Sequence, residues 1–177
     1  MQQLFMRRHD LENLPDVVAL PSGYTLREAR EEDANALSQL FQHTFIESAQ
    51  ERTQEWVLAT LVHAPDVLTT YVIDYADVPV STASLRTLPD LYPSSAYIHW
   101  VATDPEHQGK GLGAAVTLAV LREAARRGMK DAVLETDDDR LPAIRTYQKL
   151  GFQPEHRHET HGSRWSIIAD MLAAANF

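Results

Sequence analysis

Residues 99–121 read HWVATDPEHQGKGLGAAVTLAVL, and this stretch decides the fold. His99 to Thr103 is short, apolar and rich in β-formers, and Asp104-Pro105 ends it because proline removes a ladder donor and fixes its own φ. From Leu112 the apolar residues run through Leu121 with only Thr117 interrupting, too long for a loop and suited to a helix buried on more than one side. Between them lies Gln108-Gly109-Lys110-Gly111-Leu112-Gly113, with three glycines in five residues where a helix begins. Glycine there lets backbone approach a ligand closely, and the first amides of a helix have no intrahelical partners. With the positive end of the helix dipole they form an anion site, most naturally for a phosphate.

Two familiar phosphate motifs fail on spacing. The dinucleotide fingerprint is G-x-G-x-x-G, whereas Gly109, Gly111 and Gly113 are spaced G-x-G-x-G; the P-loop needs Ser or Thr after its lysine, whereas Lys110 precedes Gly111. A second segment follows downstream, Leu141-Pro142-Ala143-Ile144-Arg145-Thr146-Tyr147-Gln148-Lys149-Leu150-Gly151-Phe152.

Together the Q-x-x-G-x-G loop and the A-I-x-x-Y-x-x-x-G-F segment, covering roughly 96–156, resemble the GNAT superfamily of N-acetyltransferases. The resemblance implies an acetyl-CoA pyrophosphate cradle at Gln108, Gly109, Lys110, Gly111, Leu112, Gly113 and Ala114. It implies further coenzyme contacts at Val101, Ala102, Thr103, Arg140, Ala143 and Tyr147, with Tyr147 facing the sulfur; many members have Asn where this chain has Arg140. The implied fold is α/β (α+β), a mixed, largely antiparallel twisted sheet with helices on both faces.

Composition sets bounds. At 177 residues, 44% hydrophobic and 23% charged, the chain suits one domain with a full core. Neither a membrane span nor a signal-peptide core is legible, so the expected location is cytoplasmic. Zero cysteines exclude disulfides, thiolate metal sites and a cysteine nucleophile, so acyl transfer must be direct or use another residue. A net charge of −9 argues against nucleic acid, which requires a basic face. The expected partner is a small-molecule amine, without metal or membrane, and dimers common in the superfamily make a homodimer one outcome.

Pro15 and Pro21 bracket an apolar run, which suggests that residues 1–22 form an extended arm on a domain spanning 23–177. The alternation from Gly23 to Ala29 predicts a first strand. Helices are predicted after Glu31-Glu32-Asp33 and over 49–62, then a hairpin over 67–88, a strand at Asp131 to Thr136 and a last strand at Arg164 to Ile168. In the resembled fold the first two helices wall the acceptor pocket, which makes Phe45, Glu47 and Trp56 candidate substrate contacts. Asp137-Asp138-Asp139 reads as a helix cap rather than a cation site, and the 155–161 segment as a polar hairpin rather than a metal cluster.

Acetyl transfer to an amine requires a neutral amine, stabilisation of an oxyanion and a proton for the thiolate. A backbone N–H near Val101 suits the oxyanion. Tyr147, of ordinary pKa about 10, can donate to a thiolate of about 8.5. For the base, period two puts Tyr97, His99 and Val101 on one face, which nominates His99, as on this strand in arylalkylamine-type members; Glu135 is second. The alternatives are a non-catalytic acyl-CoA sensor and a CoA-independent interaction module.

Overall fold

The structure is a computed structural model describing residues 2–17, 19–46 and 51–175. Among the described residues seven strands form one sheet: β1 (Leu4–Arg8), β2 (Tyr24–Glu28), β3 (Val67–Tyr75), β4 (Val78–Arg86), β5 (Ser95–Thr103), β6 (Asp131–Thr136) and β7 (Gln153–Glu155). Their order is β2-β3-β4-β5-β6-β1-β7, and every pairing is antiparallel except β5 with β6. That single parallel pair is the one joined by a helical crossover, because parallel neighbours cannot be linked by a tight turn.

Five α-helices accompany the sheet among the described residues: α1 (Ala34–Thr44), α2 (Gln54–Val57), α3 (Leu112–Arg126), α4 (Leu141–Lys149) and α5 (His161–Ala174). The main core lies between α3, α4, α5 and one sheet face, where Ala96 and Ile98 of β5, Ala132 and Leu134 of β6, and Leu4 and Met6 of β1 alternate inward. On the opposite face, Leu37, Leu40 and Phe41 of α1 pack with Val57 and Leu61 against Val72 and Ala102. Phe5, Tyr97 and Val133 form a smaller cluster covered by Leu88 and Tyr92. α3 ends as its sequence requires, with Gly128 at φ +79° just past the last turn.

Four readings from sequence are corrected. Residues 4–8 are not an arm lying on the domain but an interior strand between β6 and β7, alternating into both cores. The segment Arg164 to Ile168 is helical, because its buried side chains, His161, Trp165 and Ile168, recur at intervals of four and three. The second helix starts at Gln54, with the Thr53 hydroxyl accepting from the Trp56 N–H at 3.2 Å, and closes in a π turn over Leu58–Val62. Finally, the aspartates at 137–139 do not cap α4: its N-cap is Arg140, and the Asp138 carboxylate instead pairs with Arg164 of α5.

Candidate active site

β5 and β6 pair at only three positions, Ser95 with Asp131, Ala96 with Ala132 and Tyr97 with Val133. Beyond these the strands part, leaving a wedge between Ile98–Thr103 and Leu134–Thr136 whose backbone groups have no ladder partners across the gap. The glycine loop lies at the end of the β5 side. Gly109 and Gly111 sit at φ +75° and +78°, conformations that L side chains rarely adopt, and a Cβ built on either meets nothing within 4 Å. Open space above backbone held in this shape fits a ligand that lies on the amides. The first bonded helical amide is Ala115, whose N–H donates to the Gly111 carbonyl at 3.0 Å, and Gly111 as N-cap offers no side-chain cap. The Leu112, Gly113 and Ala114 N–H groups are thus available to an anion. Around the loop, the Gln108 side chain donates to the Thr103 carbonyl at 3.3 Å and the Lys110 ammonium to the Glu106 carbonyl at 2.9 Å.

β5 carries a bulge beside the wedge. Thr82 pairs with Ala102 and Ser84 with His99, so β5 holds one residue more than β4 over this interval, and Trp100 takes φ +50° to accommodate it. Alternation breaks there. Tyr97 and His99 share a face, their rings 5.4 Å apart, but Val101 packs with the α3 core on the other side. The expectation that Val101 follows His99 is therefore corrected.

His99 accepts a hydrogen bond at Nδ1 from Arg86 Nη1, at 3.0 Å, and Arg86 is itself ion-paired with Asp66. Burial, and next the Arg86 charge, lower the His99 pKa to about 3. With Nδ1 accepting, the neutral ring carries its proton on Nε2. Glu135 is exposed at the other lip of the wedge, and the Tyr97 hydroxyl donates to its Oε2 at 2.9 Å. Tyr97 is held well above the usual phenol range by burial and then by the Glu135 charge, so it stays a donor.

On the side of α1 and α2 the bulge is walled by aromatics. Trp100, turned out by the bulge, meets Trp56 at 4.8 Å, Phe41 at 5.5 Å and Phe45 at 5.7 Å. Phe45 and Trp56, nominated from sequence, thus come together; Glu47 lies outside the described residues. Two arginines join them, Arg52 over Phe45, Trp56 and Trp100, and Arg140 over Phe45. Arg140 therefore turns toward this aromatic wall. Tyr147, on α4, is 7% exposed and shares the buried cluster containing Leu112, Ile98, Leu134 and partly buried Ala143. Burial pushes its pKa above the usual phenol range and the Arg140 charge opposes this, so the hydroxyl is protonated at any physiological pH.

With this geometry in place, comparison with known proteins is informative. The model of the acetyltransferase (GNAT) family matches residues 29–152. The chain belongs to the GNAT family. Mycothiol acetyltransferase of Actinosynnema mirum is 30% identical over 165 residues, which is 86% of this chain and 52% of that protein. The Saccharomonospora viridis mycothiol acetyltransferase is 46% identical over 56 residues, 32% of this chain and 18% of its own length. The chain thus spans about half or less of the length of these relatives. Among solved structures, Salmonella typhimurium yncA, determined with its cofactor acetyl-CoA, superposes with TM-score 0.61 at 25% identity, covering 75% of this chain and 80% of that one. Among the described residues no helix is long and apolar enough to cross a membrane.

Sequence reasoning missed Arg86, Arg52 and the bulge at Trp100. Arg86 carries no local signal, since Asp66 and His99 lie elsewhere in the chain, and Arg52 meets Phe45, Trp56 and Trp100 only once the fold gathers them. The bulge is invisible to period-two counting, which assumes the register that it breaks.

Proposed function

We propose that this chain is an acetyl-CoA-dependent N-acetyltransferase that moves an acetyl group directly to a primary amine of a small molecule. One observation carries the reading: β5 and β6 part after their third residue pair, beside a glycine loop whose backbone is open on its ligand side. Acetyl-CoA, when bound, supplies the acyl group as a thioester. Amides of residues 109–114 would hold its pyrophosphate, with Gln108 and Lys110 fixing the loop's approach and Val101, Ala102, Thr103 and Ala143 flanking the wedge. A backbone N–H of the bulged strand near Val101 meets the charge that develops on the carbonyl oxygen, and a preorganised amide does so without reorganising.

The base is assigned to Glu135 in place of His99. The His99 Nδ1 lone pair is already committed to Arg86 and its ring is neutral, so it orients the site and offers an N–H. Glu135 is exposed at the wedge, held by Tyr97, and can take the proton of the amine directly or through a water. The amine nitrogen bonds to the acyl carbon, the carbon–sulfur bond breaks, and the Tyr147 hydroxyl donates its proton to the departing thiolate. A tyrosine that stays protonated suits that task. With no cysteine in the chain, no cysteinyl acyl-enzyme intervenes.

The test is a panel of primary amines incubated with acetyl-CoA, read by free thiol. Amine-dependent release by the wild-type chain and none by Gly111→Glu is expected. Tight acetyl-CoA binding with no release by any amine would favour an acyl-CoA sensor.

A further inference from the structure

We propose that the acceptor is an amine that also carries a carboxylate, and that the guanidinium of Arg140 binds this carboxylate. The inference rests on the transferase reading and deepens it. It takes Arg140, which family resemblance assigns to the coenzyme, and gives it to the acceptor.

The observations concern one wall. The Phe45 ring has two guanidinium carbons against it, Arg140 Cζ at 4.4 Å and Arg52 Cζ at 4.9 Å from its centroid. Arg52 is 5% exposed and also lies 5.2 Å from the Trp100 ring. Arg140 is only half-buried, the outer member of the pair. Contact runs unbroken from here to the proposed base: Phe45 to Trp100 at 5.7 Å, Trp100 to His99 at 5.1 Å, His99 to Tyr97 at 5.4 Å, and Tyr97 to Glu135 at 2.9 Å. Phe45, on which Arg140 lies, and the carboxylate base are thus joined by a chain of side-chain contacts that passes through buried Tyr97.

Arg140 is also distinctive in what it does not bind. Among the described residues its side chain makes no ion pair and no hydrogen bond, and although Arg140 is the N-cap residue of α4 its side chain bonds none of the helix amides. A guanidinium lying on an aromatic ring uses its flat face, so the edge with its N–H fork remains to meet a planar anion in bidentate fashion. The Arg140 charge also acts on Arg52, whose pKa is lowered first by burial and then by this neighbour. The Arg140 charge is thus felt along this wall, where it penalises a further cation and favours an anion at its own N–H fork.

Charge over the whole molecule points the other way, which makes the local arrangement informative. The chain carries −9, so its long-range field disfavours an anionic substrate and favours a polyamine. At close range Arg140, lying on the Phe45 ring with its fork unpaired among the described residues, selects a carboxylate while the amine is directed to Glu135.

The experiment compares matched acceptors. Amino carboxylates of graded chain length, from short α-amino acids to long ω-amino acids, are assayed against their carboxamides and against the corresponding diamines. Wild-type chain is set beside Arg140→Gln and Arg140→Lys. The expected result is a kcat/KM preference for carboxylate over carboxamide of about 10-fold or more, the loss typical of unpairing a charged hydrogen-bond partner. In Arg140→Gln that ratio falls toward one through KM, while acetyl-CoA affinity by calorimetry is unchanged. In Arg140→Lys, which keeps the charge but not the fork, an intermediate ratio is expected. Three results would overturn the inference and leave the transferase reading standing: preference for carboxamides or diamines, an unchanged ratio in both variants, or loss of acetyl-CoA affinity in both. Failure of every amine to release thiol from the wild-type chain would instead remove the transferase reading itself, and this inference with it.

Discussion

Arg86 donates from Nη1 to Nδ1 of His99 at 3.0 Å, and this contact determines what the histidine can do. Burial first, and next the cost of protonating beside the guanidinium, hold its pKa at about 3. Any acidic limb of the kcat/KM profile should therefore not belong to His99. In His99→Gln the pH profile should keep its shape, with any loss uniform across pH; disappearance of that limb would make His99 the base after all.

The same shift has a consequence for stability. The folded pKa of about 3 lies below the ordinary 6.5, so between these values the unfolded chain binds the proton that the folded chain refuses. Stability is full above 6.5 and is lost as pH falls toward 3. Thermal melting from pH 7 to pH 4 should show a steeper fall for wild-type chain than for His99→Gln. Parallel melting curves would mean that His99 is not buried neutral.

Glu135→Gln keeps the shape of the side chain and its contact with Tyr97 but removes the proton acceptor. A loss of about 10²–10⁴-fold in kcat/KM is expected, typical for a positioned base, with acetyl-CoA affinity unchanged. Tyr97→Phe should cost less, since it frees the carboxylate without removing it. Wild-type rates in Glu135→Gln would send the search for the base elsewhere on the wall.

Much of this was legible in the sequence, and the divisions have physical causes. The wedge strand, the glycine loop, α3 and the position of Tyr147 are local: each is specified by residues within a few positions of one another, from Asp104-Pro105 to the αL stop at Gly128. β1 was not legible as an interior strand because LFMRR is short, and its partners, Asp131–Thr136 and Gln153–Glu155, lie far along the chain. Arg164 to Ile168 misled because five residues hold too few repeats to separate period two from 3.6; the helical spacing emerges only when His161 is included. The parity argument for His99 succeeded as far as Tyr97 and failed at Trp100, where one extra residue reverses every face that follows.

Tyr147→Phe removes one hydroxyl from a ring packed 6.0 Å from Phe152, so the fold should survive. Turnover should fall about 10²–10⁴-fold with acetyl-CoA affinity retained, as for loss of a positioned proton donor. Full turnover in this variant would leave Tyr147 as a core residue only.

Gly111→Glu introduces a side chain at φ +78°, into space that is empty above the loop amides, and brings a negative charge where the pyrophosphate is to lie. Acetyl-CoA binding should be lost by calorimetry. Retained affinity in a folded variant would move the coenzyme off this loop.

The central claim, direct acetyl transfer from acetyl-CoA to an amine, is tested most directly by measuring free thiol and acetylated amine in the same reaction. The account predicts equal amounts of the two, formed only when enzyme, acetyl-CoA and amine are all present. Thiol released without acetylated amine, or acetyl-CoA bound with neither product formed, would contradict it.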